Sequence, residues 1–173
     1  MGYAYKRIVI DGQDWKPIHP VSHRIDQVSI ASVNYYRTLL QFDVEVAPLV
    51  LDEDAIHGTS CSPDAITRGD KFGFIFAQSN GALMGKRIQD GTDFIKIIEV
   101  QQGTCIALYT IDNPDGLCVH YAYDFVSSDI TEAARPVGNL RDSRGDFYTI
   151  HINDDTGDLP VHNWCPSFNY RLN

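Results

Sequence analysis

Apolar and polar residues alternate most cleanly between Tyr35 and Val46, where Tyr36, Thr38, Leu40, Phe42, Val44 and Val46 interleave with Tyr35, Arg37, Leu39, Gln41, Asp43 and Glu45. A period of two puts each set on its own side of an extended chain. The pattern predicts a strand with Leu40, Phe42 and Val44 buried and with Arg37, Gln41 and Asp43 at least partly exposed. Shorter apolar runs bounded by turn residues predict further strands at Tyr3–Ile10, about Ile25–Ser32, Phe72–Ala77, Leu83–Ile88, Phe94–Val100 and Phe147–Ile152. Helical signals are brief. Ser62-Pro63 opens one turn running to about Arg68, and Asp129 to Glu132 has capping-box spacing that Arg135-Pro136 ends.

The stretch from Cys105 to Phe125 predicts the centre of the fold. Asn113-Pro114-Asp115-Gly116 combines a proline suited to the second position of a type I turn with a glycine able to adopt positive φ. Read as a hairpin with a glycine bulge, it sets Ile111 opposite Val119, Tyr109 opposite Tyr121, Ala107 opposite Tyr123 and Cys105 opposite Phe125 on a core face. The other face then carries Ile106, Leu108, Thr110, Cys118, His120, Ala122 and Asp124. Because that second face is half apolar, it too calls for cover.

These elements amount to eight to ten short strands with one or two helical turns, and no helix is long enough to cross between parallel strands. The expected fold is all-β, an antiparallel β-sandwich or, as the alternative, a small β-barrel, with residues 1–173 forming one domain. The 173 residues suffice for a sizeable core, and 43% hydrophobic with 21% charged residues is ordinary for a globular chain. Nine Tyr, eight Phe and two Trp favour strands over helices. A net charge of -9, with basic residues scattered, argues against a nucleic-acid partner. No apolar run reaches the length of a membrane span and the first residues lack the features of a signal peptide, so the expectation is a cytoplasmic protein with no membrane partner.

Candidate chemistry is sparse. Cys61, Cys105, Cys118 and Cys165 include no Cys-x-x-Cys pair, and the opposite faces of Cys105 and Cys118 forbid a bridge between them; Cys61 with Cys165 is the one pairing left open. His19 and His23 have the spacing of a helical metal pair, but Pro20 between them favours a loop. Asp154, Asp155 and Asp158 supply oxygen ligands without the spacing of a calcium loop, so no metal or other cofactor is expected. His120 is the one candidate for a general base, on the less apolar hairpin face. Two Arg-Gly-Asp tripeptides, at Arg68–Asp70 and Arg144–Asp146, read as turns leading into strands.

Three functional readings follow. The first is a non-enzymatic interaction or assembly protein, a homo-oligomer or the partner of another protein, whose tyrosine-rich apolar sheet face (Ile106, Leu108, Thr110, Cys118, His120, Ala122, Asp124) is the interface. The second is a barrel that binds a small apolar ligand, with His120 in its cavity and catalysis as an option. The third is a lectin-like carbohydrate-binding module using Trp15, Trp164 or exposed tyrosines.

Overall fold

A computed structural model describes residues 8, 12, 14–52, 72–122, 138–146, 149–153, 157–160 and 162–173, with 150–153 and 157–160 as backbone only. Its strands are β1 (His19–Ile30), β2 (Val33–Asp43), β3 (Leu49–Leu51), β4 (Phe74–Ala77), β5 (Leu83–Met84), β6 (Ile95–Gln101), β7 (Cys105–Thr110), β8 (Cys118–Tyr121), β9 (Leu140–Asp142), β10 (Thr149–Asn153), β11 (Gly157–Pro160) and β12 (Phe168–Arg171). One short 3-10 turn, Ser143–Asp146, follows β9.

Two four-stranded antiparallel sheets form the body, one ordered β1-β2-β7-β6 and the other β12-β8-β4-β5. Alternation along β2 and β7 turns Leu40, Phe42, Ile106 and Leu108 inward, and alternation along β4 and β8 brings Phe74, Phe76, Val119 and Tyr121 to meet them in one continuous core. Aromatic rings join the two layers: Phe42 meets Phe168 edge-on at 5.8 Å, and Phe168 stacks on Tyr121 at 5.3 Å. Two smaller pairs, β3 with β9 and β10 with β11, complete the described strands. Among the described strands both large sheets are open at their edges and not closed into a barrel, so this is an all-β sandwich and the barrel alternative is set aside.

The strand predicted from Tyr35 to Val46 is β2, displaced by two or three residues at each end. Thr38, Leu40 and Phe42 are buried, Arg37 and Gln41 are half-buried and Asp43 is exposed, as a period of two requires. β1 begins earlier than the strand expected from Ile25, because main-chain pairing with β2 carries the His19–Ser22 segment into the ladder. His19 and His23 therefore lie on a strand, not in a loop. The strand expected over Leu83–Ile88 stops at Met84. Beyond it Arg87 turns to Asp112 and Asp90, the chain reverses at Gly91 with φ +66°, and Ile88 is 90% exposed.

The central hairpin is the main correction. β7 pairs with β2 and β6, whereas β8 pairs with β4 and β12, so the residues flanking the Asn113–Gly116 turn belong to opposite layers. Tyr109 lies opposite Arg37 and Ile97, and Tyr121 lies opposite Phe74 and Phe168. The turn itself forms with Gly116 at φ +76°, and Leu117 N–H donates to Pro114 C=O at 3.1 Å. Residues 111–117 span the gap between sheets packed about 10 Å apart, an arch that a two-layer fold needs and a tight hairpin cannot supply.

The predicted strand at Tyr3–Ile10, apart from an exposed Ile8, and the helical turns at Ser62–Arg68 and Asp129–Glu132 lie outside the described residues. The late strand predicted over Phe147–Ile152 is β10. Cys105, Cys118 and Cys165 are free thiols, which removes the bridge left open for Cys165; its Sγ donates to Ile18 C=O instead. No helix among the described residues is long and apolar enough to cross a membrane.

Candidate functional site

The residues assigned to a single face by the hairpin register are divided by the arch. Ile106 and Leu108 are fully buried in the core between the sheets. Thr110 ends β7, its hydroxyl donating to Asp112 C=O at 2.8 Å. Cys118 and His120 belong to the other sheet, on the side of β8 opposite the core residues Val119 and Tyr121. Burial holds His120 below the usual imidazole range, which favours the neutral ring. Ala122 follows β8 at φ +47°, its N–H bonded to Gly73 C=O, and Asp124 lies outside the described residues.

The outward side of the β1-β2-β7-β6 sheet shows how β7 is covered on its second face. Cys105, Ala107 and Tyr109 point that way, yet each is at most 3% exposed. Longer side chains from the flanking strands close over them. The Cys105 Sγ donates to Gln41 Oε1 at 2.9 Å, Gln101 Nε2 donates to the Tyr109 hydroxyl at 2.8 Å, and that hydroxyl donates to Glu99. Arg37 extends the chain of contacts, bonding Gln101 and gripping Asp26 with two nitrogens at 2.9 and 2.7 Å. Arg37 lowers the Asp26 carboxyl, Tyr109 and then Gln101 lower Glu99, and burial followed by Glu99 raises the Tyr109 phenol. The network is fully paired and presents no uncompensated acid or base.

Its continuation is more open. β7 meets β2 only as far as the Tyr36–Thr110 pair, so from Val28 to Tyr35 the β1–β2 ladder projects past the rest of its sheet as a two-stranded arm. Ala31 and Ser32 make its tip at φ +48° and +66°, the two positive values of a type I′ turn. Val28, Ile30, Val33 and Tyr35 share the arm's outward side, with Ile30 39% and Val33 41% exposed. Tyr35 bridges back to the body through an edge-on contact with Tyr109 at 6.3 Å.

A second polar cluster is structural and had no apolar periodicity to announce it. Arg141 binds Asp52 at 2.6 Å and Asp146 at 3.2 Å, and Arg144 binds Glu45 at 3.0 Å. Asp142, wholly buried, accepts from Arg144 N–H and from Asn163, whose side-chain oxygen in turn accepts from the Trp15 indole. Arg144 of the second Arg-Gly-Asp tripeptide is thus an internal tie, only 8% exposed; the first tripeptide lies outside the described residues. Trp15 and Trp164 are both half-buried.

No group of His, Cys, Asp and Glu capable of holding a metal occurs among the described residues. Asp154 and Asp155 lie outside them, and of Asp158 only the backbone is described, paired with His151. Two of the open clefts on the surface are lined by described residues. One of about 370 Å³ is lined by Phe94, Ile88, Asp112 and Arg87, whose guanidinium is already held by Asp112 and Asp90. The other, about 650 Å³, runs beside β1 along His23, Arg24 and Asp26 towards Asn113 and Asn173. In comparisons with known proteins, no family model, curated protein or solved structure matches the chain.

Proposed function

We propose that the protein is a non-enzymatic assembly module that associates with further copies of itself through the β1–β2 arm. The observation that carries this reading is the arm: two strands leave the sheet and expose Ile30 and Val33 on an apolar side, whereas the core and the outward side of β7 are filled by the chain's own residues. Full burial of such a side chain is worth about 1.5–3 kcal/mol, and Ile30 at 39% and Val33 at 41% exposure forgo a part of it. Association recovers it. The tyrosine-rich contact expected for an assembly protein moves accordingly, from the face shared by Ile106 and Leu108 to the arm and its base, where Tyr35 and Tyr36 stand.

The test is the mass of the full chain by light scattering over a wide concentration range. Wild type should exceed the monomer mass at high concentration, and Ile30→Asp or Val33→Asp should give a folded species that stays smaller. A wild type that remains monomeric throughout overturns the proposal.

A further inference from the structure

Resting on assembly through the arm, we infer that two copies join edge to edge, β1 against β1 in antiparallel order, about a two-fold axis passing through Ile25, a pairing that uses the arm's outer edge and not its apolar side. Among the described strands, β1 is the outer one of its sheet and the longest. Proteins protect such edges with proline, bulges, charge or brevity. The other edges here follow that rule: β6 carries Lys96, Glu99 and a bulge, β5 is two residues long and β12 is four. β1 has Pro20 and a bulge between Pro20 and Ser22 at one end, and beyond them only the opposite charges Arg24 and Asp26. From Ser22 to Ile30 the ladder is regular, with neither proline nor glycine.

Backbone parity sets which residues can pair across the edge. The two-residue tip makes Ile30 and Val33 a hydrogen-bonded pair, so Ile30, Val28, Asp26 and Arg24 direct their N–H and C=O groups to β2. Ile25 and Gln27, with His23, direct theirs outward. A two-fold axis at Ile25 lets each Ile25 exchange both hydrogen bonds with its counterpart, and His23 do the same with Gln27 of the other copy, about six bonds in all.

Charge selects among the permitted registers. With Ile25 on the axis, Arg24 of each copy stands opposite Asp26 of the other in a non-hydrogen-bonded pair, the arrangement that brings side chains closest. Centring on Arg24 or Asp26, which parity also permits, sets like charges opposite each other, and centring on His23 or Gln27 places Arg24 against Ser22 or Ile30. In a chain of net charge -9, Ser22–Ile30 carries one Arg and one Asp, so two copies can approach along it without like-charge repulsion. Arg24 is free to turn: its side chain is 63% exposed, with one nitrogen 3.3 Å from its own Asp26. A pairing that uses the same edge on both copies closes on itself and ends at a dimer with one continuous sheet.

Sedimentation equilibrium of the full chain tests this, with wild type beside Gln27→Pro, Arg24→Glu and Val33→Asp. Proline at position 27 removes an outward N–H and no bond to β2, so it should raise the dimer dissociation constant at least about tenfold with the circular dichroism spectrum kept. Arg24→Glu, at an exposed position, should weaken the dimer too, and more at low salt than at high salt. A wild-type dimer indifferent to Gln27→Pro and Arg24→Glu overturns the edge pairing while leaving assembly standing, all the more so if Val33→Asp alone dissociates it. A wild type monomeric at every concentration overturns the edge pairing and assembly together.

Discussion

The Tyr121 hydroxyl accepts the backbone N–H of Leu140 at 2.7 Å in a fully buried setting, tying β8 to the strand that carries the arginine cluster. Burial raises the Tyr121 phenol far above its ordinary range, so it stays neutral at any ordinary pH. Tyr121→Phe keeps the ring against Phe168 and leaves the Leu140 N–H without its acceptor. The expected cost is about 1–3 kcal/mol by chemical denaturation, with an unchanged denaturant slope. Gly138→Ala should also destabilise, since a Cβ there would overlap the same phenol.

Leu108 and Val33 separate core from contact surface. Leu108 is fully buried in the core, so Leu108→Asp strands a carboxylate without a partner and should yield no folded species. Phe42→Ala should fold but lose about 3–5 kcal/mol. Circular dichroism and thermal melts distinguish these outcomes from Val33→Asp, which should melt within a few degrees of wild type.

The arm tip holds Ala31 and Ser32 at positive φ, a region that side chains with a Cβ occupy at a cost. Replacing the pair by Asn-Gly, the favoured type I′ sequence, should raise stability by about 1 kcal/mol without altering β1–β2 register. Amide exchange slowing along the arm would confirm it; unchanged or faster exchange would show that the tip is not strained. By the same reasoning Gly116→Val, at φ +76°, should cost at least about 1 kcal/mol.

Acid should loosen the base of the arm. Arg37 holds Asp26 below the ordinary carboxylate range, so the folded value lies under the unfolded one. Its stabilising contribution is therefore complete above the unfolded value, about pH 4, and is lost as pH falls through the folded value. Glu99 and Asp112, lowered by Tyr109 and Arg87 respectively, act with the same sign. Asp142, raised by burial, acts with the opposite sign, favouring the fold more as it protonates. Melting temperatures from pH 5 down to pH 2 should fall less steeply for Asp26→Asn than for wild type.

Period-two alternation made β2 legible with its correct inward face, because a strand's side-chain geometry is local and Leu40 and Phe42 can be buried together only one way. Gly116 was legible for the same reason: positive φ is a property of one residue. Which strands stand beside one another is not local. β7 is buried on both sides and β8 buries Val119, His120 and Tyr121, so no wet face marks their partners, and the residues joining them serve a hairpin or an arch equally well. Packing decided for the arch, since only β7 and β8 in separate layers let Ile106 and Leu108 meet Val119 and Tyr121 across one core. The arginine cluster and the arm were decided in the same way. Arg141 and Arg144 are buried because Asp52, Glu45 and Asp142 converge on them from distant positions, and the arm projects because β7 ends at Thr110 while β1 and β2 continue. Chain pattern determines which face of a strand is apolar; the lengths and order of its neighbours determine where that face is left uncovered.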